Sequence, residues 1–157
     1  PFDHAWTGGS RTDDAKAFKR LMKLPEIPQG SNVVGVGIDQ IEVSRIRESL
    51  EKHGDHFLNK IFSVGEQNYC KDKADPAPCL AARFAAKEAT AKAFGTGFGP
   101  EFGWLDSEVS NGSKGEPILC FNGNALTLLE QKGAIRALIS LTHLESVASA
   151  VVILISE

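Results

Sequence analysis

The sequence RFAAKEATAK, from Arg83 to Lys92, decides how the chain folds. At about 100° per residue, a helix over this stretch has one face of alanine and one face of charge. The alanine face contains Ala82, Ala85, Ala86, Ala89 and Ala93, and the charged face contains Arg83, Lys87, Glu88 and Lys92. Because small side chains let backbones approach closely, we expect the alanine face to pack tightly against a sheet or another helix. The charged face is then held rigidly, or it is only solvated, with Glu88 and Lys92 as an i,i+4 ion pair.

Length, charge and hydropathy narrow the classes of protein to consider. A chain of 157 residues with 42% hydrophobic residues is that of one globular domain with a sizeable core. Its net charge of -3 is too small to indicate a nucleic-acid or anionic-membrane partner. No apolar run is long enough to span a bilayer, and the N-terminus lacks the apolar core of a signal peptide. We therefore expect a cytoplasmic protein with no nucleic-acid and no membrane partner.

The cysteines are Cys70, Cys79 and Cys120. They are odd in number, widely spaced and without a paired motif, which predicts neither a disulfide framework nor a zinc site. This pattern fits a reducing, intracellular compartment.

Residues 1–32 differ in character from the rest of the chain. A short amphipathic helix is predicted near Asp14 to Leu24, followed by the linker PEIPQGSN. The start at Pro1, without Met, is typical of a processed or excised chain. We expect residues 1–32 to be an appendage and residues 33–157 to be the functional domain.

A buried strand is predicted over VVGVGI, from Val33 to Ile38, where the glycines indicate close approach by a neighbouring backbone. A dinucleotide-binding turn would need a third glycine and a helix opening after this strand, and the sequence has Asp39 and Gln40 instead. Asp39, expected at the strand end, is either the cap of the next helix or a fixed carboxylate ligand.

The remaining pattern mixes helices and strands without strict alternation, which predicts an α+β arrangement. Helices are predicted from Val43 to His53 with a stop at Gly54, around Phe57 to Ile61, from the capping box Ser63–Glu66, from Asp75-Pro76 to Gly95, and from Asn124 to Lys132. Strands are predicted at Leu105–Ser110, Pro117–Phe121, Ala137–Thr142 and Val147–Ile155, and the first two form a hairpin.

The loop GTGFGP follows directly after the charged helix. Its glycines, Gly95 and Gly97, offer backbone N–H groups that are free to bind a ligand. The alternative is a plain helix stop.

Two carboxylates and several cations stand out as candidate site residues. Asp39 and Glu88, without clustered Cys or His, suit Mg²⁺, which takes oxygen ligands and often completes its shell with substrate phosphates. The cations Arg83, Lys87 and Lys92 would balance the charge of a phosphorylated ligand. This chemistry indicates a Mg²⁺-dependent enzyme that handles phosphate groups.

With the charged helix and the downstream histidine, the sequence resembles the holo-acyl-carrier-protein synthases, the small bacterial type of 4′-phosphopantetheinyl transferase. The matching segments are GVGIDQIEVSRI, HFLNKIFSVGE, LAARFAAKEATAKAFGTG, DSEV followed by GEP, and SLTHLESVASAVV. Gln40 departs from the family pattern, which usually has an aliphatic residue there. The resemblance implies a small antiparallel sheet packed with a central helix.

The resemblance also implies a reaction: the 4′-phosphopantetheine arm of coenzyme A passes to a serine of apo acyl carrier protein, releasing adenosine 3′,5′-bisphosphate. Asp39 and Glu88 match Mg²⁺ ligands of the family, and Lys87 and Lys92 match lysines near the phosphates. His143 matches a histidine at the nucleotide site, although a strand-end histidine bonded to backbone is the alternative. Arg83 holds either the nucleotide or an adjacent subunit, and the group that accepts the serine proton is left open.

The family forms trimers with coenzyme A in clefts between subunits, so a homotrimer with three interface sites is expected here. The acidic carrier is expected on the helix from Val43 to His53, whose cations Arg45, Arg47 and Lys52 lie outside its apolar arc. Glu48 and Glu51 leave a merely solvated face as the alternative. A non-catalytic protein that binds acyl carrier protein is the alternative function.

Overall fold

The computed structural model describes residues 29–157, so the predicted helix at Asp14–Leu24 lies outside the described residues. The elements in chain order are β1 (Val33–Glu42), α1 (Val43–Ile61), α2 (Val64–Lys71), α3 (Pro76–Phe94), β2 (Ser107–Asn111), β3 (Pro117–Phe121), α4 (Asn124–Lys132), β4 (Arg136–His143) and β5 (Val147–Ile155). Within this part of the chain, none of the helices has both the length and the apolar character that crossing a bilayer requires.

Two small antiparallel sheets confirm the predicted α+β class. The larger sheet has the order β1-β5-β4, and β2 and β3 form the predicted hairpin. One boundary prediction is wrong: β1 does not end at Asp39 but continues to Glu42, because its ladder with β5 runs on to the pair Glu42 and Val147. Asp39 therefore lies inside a strand, opposite Ala150.

The alanine face of α3 packs on β1 at backbone distance, as predicted. A Cβ atom added to Gly37 would lie 1.9 Å from the carbonyl oxygen of Ala89, and one added to Gly35 would lie 2.4 Å from that of Ala93. No side chain fits at either glycine, because real Cβ atoms keep more than 3.0 Å from such neighbours. The glycines of the strand and the alanines of the helix are thus two halves of one contact.

The helix ends follow local signals. Asp75 caps α3 by accepting a hydrogen bond from the backbone N–H of Ala77, and Gly95 ends it in the left-handed conformation with φ 78°. The capping box Ser63–Glu66 opens α2. Gly54, with φ 47°, interrupts α1 at the predicted stop, and the helix resumes after this kink.

The expectation of an exposed charged face on α3 is wrong for Lys87 and Arg83, which are 0% and 4% exposed. The hairpin and α2 cover this side of the helix and supply polar partners for both cations. Burial of charge is tolerated only with such partners.

The prediction that the cysteines form no disulfide is also wrong, since Cys70 and Cys79 are bonded. Cys70 lies in the last turn of α2 and Cys79 in the first turn of α3, and the short connection between these helices brings their Cα atoms to 5.5 Å. Wide spacing is no obstacle when a turn folds the chain back. Cys120 is free.

Candidate active site

Asp39 faces the central helix, because it shares a face of β1 with Gly35 and Gly37. Its Oδ1 atom accepts a hydrogen bond from Nζ of Lys92 at 2.7 Å, and the same ammonium donates to the carbonyl of Ile38 at 3.0 Å. The Asp39 side chain is 16% exposed and that of Lys92 is 51% exposed. A carboxylate and a lysine from two distant parts of the sequence therefore meet at the surface.

Glu88 joins this pair from the helix one turn before Lys92. Partial burial raises its pKa, and the charge of Asp39 raises it further, while Lys92 and Arg45 act in the opposite direction. The interaction of Glu88 with Asp39 identifies two carboxylates close enough to repel each other. A bound cation would relieve this repulsion.

The donor set at this point fits a hard metal ion such as Mg²⁺. Asp39 and Glu88 offer carboxylate oxygens only, and residues 29–157 contain no group of three or more His, Cys, Asp or Glu side chains arranged to hold a metal. Mg²⁺ is commonly bound through one or two carboxylates, with water and substrate phosphate completing its shell. Zinc would require a larger set with nitrogen or sulfur ligands.

Arg45 borders the carboxylate pair from the start of α1. It is exposed, and its charge lowers the pKa of Glu88. Together with Gln40, Glu42 and Val147 it lines a surface cleft of about 430 Å³. An anionic partner that contacts Arg45 therefore lies next to the carboxylate pair.

His143 and Arg83 lie in a different place. β1 and β4 are the opposite edges of the larger sheet, so Asp39 and the β4 residue His143 are on opposite edges. On α3, Arg83 and Glu88 point about 140° apart around the helix axis. The predicted site residues thus lie in two places: Asp39, Glu88 and Lys92 form one set, and Arg83 and His143 form the arginine-histidine group.

The arginine-histidine group lines a cleft of about 890 Å³. Its lining includes Tyr69, Lys73, Arg83, Asn111, Leu141 and His143. His143 is exposed at the mouth of this cleft. We call this space the arginine cleft.

Arg83 is a buried cation with hydrogen-bond capacity to spare. One Nη atom donates to the carbonyl of Cys79 at 3.5 Å and to its Sγ at 3.2 Å, and the other donates to Oδ1 of Asn111 at 2.9 Å. Its Nε–H is buried without a partner, and no carboxylate of residues 29–157 pairs with it. Burial lowers the pKa of Arg83, while the Glu66 carboxylate and Tyr69 act in the opposite direction.

Lys87, predicted near the phosphates, is buried among protein groups. Its ammonium contacts Oε2 of Glu66 at 3.0 Å, the carbonyl of Trp104 at 2.9 Å and the carbonyl of Ser107. Three partners use all three N–H groups of a lysine. Burial lowers the pKa of Lys87, and the Glu66 carboxylate opposes this.

The sequence did not indicate that Glu66 is the buried partner of Lys87. Its carboxylate also accepts hydrogen bonds from the backbone N–H groups of Ser63 and Val109, both at 2.9 Å. The capping-box pattern identified the bond to Ser63. No signal in the sequence indicated Lys87 or Val109, which join it only through tertiary folding. Tyr69 and Asn111 in the arginine cleft were missed for the same reason.

The glycine loop is only partly free. The N–H of Gly95 bonds to the carbonyls of Ala91 and Lys92 at 2.9 and 3.0 Å, so the expectation that it is free to bind a ligand is wrong. The helix uses this group for its own ending. Gly97 is exposed and has φ 63°, and its carbonyl accepts a hydrogen bond from the Thr96 hydroxyl at 2.9 Å.

The three candidate docking cations of α1 are not equivalent. Arg45 and Lys52 are exposed, whereas Arg47 forms a two-point ion pair with Asp75, one contact of which is 3.0 Å. Asp75 also caps α3, so Arg47 ties α1 to the start of the central helix. Arg47 is therefore less free than Arg45 or Lys52 to contact a partner.

Comparisons with known proteins add independent information. Residues 35–148 match the family model described as the 4′-phosphopantetheinyl transferase superfamily. The chain is 48% identical over 119 residues to a holo-[acyl-carrier-protein] synthase of Chlamydia muridarum (strain MoPn / Nigg), covering 76% of this chain and 92% of that protein. It is 43% identical over 111 residues to one from Trichlorobacter lovleyi, covering 71% and 88%.

Solved structures of the same enzyme have this fold. The Helicobacter pylori holo-[acyl-carrier-protein] synthase in complex with coenzyme A matches with a TM-score of 0.68 and 29% identity, covering 76% of this chain and 98% of that one. The Bacillus anthracis str. Ames enzyme, in complex with CoA (3′,5′-ADP), matches with a TM-score of 0.66 and 38% identity, covering 80% and 98%.

Proposed function

The chain belongs to the 4′-phosphopantetheinyl transferase superfamily as a holo-[acyl-carrier-protein] synthase, and from this premise we propose the reaction that it catalyses. The 4′-phosphopantetheine group of coenzyme A passes to a serine of apo acyl carrier protein, and adenosine 3′,5′-bisphosphate is released. The observation that carries the proposal is the pair of carboxylates, Asp39 and Glu88, with Lys92 beside them.

Asp39 and Glu88 would hold Mg²⁺. When bound there, the ion would act as a Lewis acid and would neutralise negative charge on the pyrophosphate of coenzyme A. The protein's own contribution is positioning and countercharge, which dominate phosphoryl-type transfers. Lys92 carries its charge at the edge of the site, where half of its side chain is exposed and free to turn from Asp39 to a phosphate.

The nucleotide half of coenzyme A would bind in the arginine cleft. Among residues 29–157 no carboxylate forms an ion pair with Arg83, although Glu66 acts on it from a longer distance, and the unpaired Nε–H of Arg83 supports a role in holding an anionic group. His143 at the mouth supplies a second contact for the nucleotide. Guanidinium groups suit phosphate because their donors form a planar fork.

A homotrimer would bring the two groups of site residues together. Each subunit has the carboxylate pair Asp39 and Glu88 at its β1 edge and the arginine cleft at its β4 edge. Two neighbouring subunits can therefore complete one site between them. The outer face of the larger sheet supports such an assembly, because Val36, Ile38 and Leu138 are 53%, 67% and 55% exposed. Apolar patches of this kind mark interaction surfaces. Three equivalent sites follow from the symmetry.

The acidic carrier would dock on α1 through Arg45 and Lys52. Arg45 supports this placement because it borders the carboxylate pair, where the carrier serine must arrive. Arg47 contributes less, since Asp75 already occupies its guanidinium.

The test is to incubate the protein with apo acyl carrier protein, coenzyme A and Mg²⁺ and to measure the mass of the carrier. The proposal expects the carrier to gain one phosphopantetheine group. A carrier that is retained by the protein but keeps its apo mass would instead identify a non-catalytic carrier-binding protein.

A further inference from the structure

The Cys70–Cys79 disulfide forms part of the wall of the arginine cleft. Cys79 lines the cleft directly, while Cys70 is fully buried behind it. Cys79 is 6% exposed and is the half-cystine that lines this cleft, whereas Cys70 lines a separate cleft of about 390 Å³. The bond is therefore placed beside the proposed nucleotide site.

Arg83 contacts one half-cystine and the neighbour of the other. The carbonyl and Sγ of Cys79 accept hydrogen bonds from the guanidinium. The ring of Tyr69, the residue before Cys70, lies under the same guanidinium at 4.4 Å from its centre. The bond holds the end of α2, which carries Tyr69, against the turn of α3 that carries Cys79, and Asn111 of the hairpin carries no charge but accepts a further hydrogen bond.

We propose that the Cys70–Cys79 bond is a reducible switch that sets the Arg83 guanidinium for binding an anionic group in the cleft. This inference rests on the proposed function, in which the nucleotide of coenzyme A occupies the arginine cleft. In the oxidised state Arg83 is held for binding. In the reduced state its supports separate and binding weakens.

The reductant is a dithiol. Its thiolate attacks Sγ of Cys79, the S–S bond breaks, and Cys70 leaves as a thiolate that takes up a proton. The second thiol of the reductant then displaces Cys79 from the mixed disulfide, and Cys79 is protonated in turn. The protein bond gains two electrons and two protons, and the dithiol is oxidised to a disulfide.

Reduction acts on Arg83 through packing. The Glu66–Lys87 ion pair holds the first turn of α2 against α3, but Tyr69 lies near the other end of α2. Without the disulfide, that end is freer to move, so Tyr69 can shift relative to the start of α3. The cation-π contact between Tyr69 and Arg83 spans the two helices and depends on their spacing, whereas the hydrogen bonds from Arg83 to Cys79 lie within α3. Loss of this geometry should weaken coenzyme A binding about tenfold, the size expected from one disturbed charge-assisted contact.

The test compares the full-length protein after mild oxidation and after treatment with dithiothreitol. Thiol labelling and mass measurement should count one free thiol in the oxidised chain and three in the reduced chain, which has 3 cysteines. Calorimetry should then show coenzyme A binding about tenfold more weakly to the reduced form, with recovery after reoxidation. Three thiols after oxidation, or equal affinities in the two states, would overturn the proposal.

Two variants separate the switch from other effects. The double variant Cys70→Ala/Cys79→Ala should bind like the reduced protein and ignore dithiothreitol. Cys120→Ser is the matched control, because this free cysteine lies on β3 beside Ser110, and it should keep the full response. If the double variant fails to fold, the two states of the wild-type protein still decide the question.

Failure of the switch and failure of the proposed nucleotide site give different results. Arg83→Lys should weaken coenzyme A binding in oxidised protein if the nucleotide lies in the arginine cleft. A loss of affinity in Arg83→Lys without any effect of reduction would reject the switch alone. Unchanged affinity in Arg83→Lys would reject the nucleotide site and the switch with it.

Discussion

Replacing Lys87 by Met tests whether this lysine is a buried structural cation. The side chains of Lys87 and Glu66 are both 0% exposed, so solvent does not screen their ion pair. Lys87→Met leaves the Glu66 carboxylate buried with only its two backbone donors, and it removes the donor from the carbonyls of Trp104 and Ser107. Breaking a buried pair from one side costs about 3–5 kcal/mol, so the free energy of unfolding should fall by that amount.

The assay is urea unfolding followed by circular dichroism, with Lys92→Met as the matched control. Lys92 lies on the same helix and pairs with a carboxylate at a similar distance, but it is 51% exposed, and its loss should cost at most about 1 kcal/mol. The double variant Lys87→Met/Glu66→Gln should recover part of the stability, because it no longer buries an unpaired charge. Equal stability of the two lysine variants would refute the argument, as would a loss of coenzyme A affinity in Lys87→Met without a loss of stability.

Three further predictions follow from the described contacts. Gly37→Ala places a methyl group 1.9 Å from a carbonyl oxygen of the central helix, so thermal denaturation should show a loss of about 1–3 kcal/mol or more in the free energy of unfolding. The control Gly99→Ala should be tolerated, because a Cβ atom there has no neighbour within 4 Å. In metal-free protein, NMR titration should find the pKa of Glu88 above its ordinary value, and Asp39→Asn should lower this pKa by removing a negative neighbour. Because ionised Glu88 is disfavoured in the folded state, the free energy of unfolding should fall as pH rises from the unfolded pKa of Glu88 through its folded pKa, and Glu88→Gln should lack this fall. Arg45→Glu should raise the KM for apo acyl carrier protein and reduce its salt dependence without changing coenzyme A affinity, and equal kinetics across a salt series would place the carrier elsewhere.

The helix boundaries could be predicted because their causes are local. Asp75 caps the start of α3 by accepting a hydrogen bond from the N–H of Ala77, two residues later, and Gly95 is the left-handed residue that ends the helix. The contact of Gly37 with the central helix was also predictable in kind, because a glycine within an apolar strand pattern indicates close backbone approach. In each case, the residues that determine the feature lie within a short stretch of sequence.

The candidate site was predictable only where its residues point to solvent. Asp39 and Lys92 were both chosen as site residues and lie in contact at the surface. Lys87 is also a lysine on the charged side of the helical wheel, but it is buried. Its partner Glu66 comes from another helix, and the carbonyl groups that complete its shell come from residues with no charge to indicate them. Cys70 and Cys79 are joined for a similar reason, since the turn that brings them together is a tertiary feature.

The most direct test of the central claim is the Mg²⁺ dependence of transfer in carboxylate variants. The rate of phosphopantetheine transfer to apo acyl carrier protein would be measured over a Mg²⁺ series for the wild type, Asp39→Asn, Glu88→Gln and the exposed control Glu48→Gln. We expect no transfer by the wild type in chelator-treated buffer and unchanged behaviour of Glu48→Gln. Each site variant should lose more than about 100-fold in rate, since even outer-shell partners of a metal are worth about 10- to 100-fold. Near-wild-type turnover of Asp39→Asn or Glu88→Gln in chelator-treated buffer would contradict the claim that these two carboxylates hold the metal for the reaction.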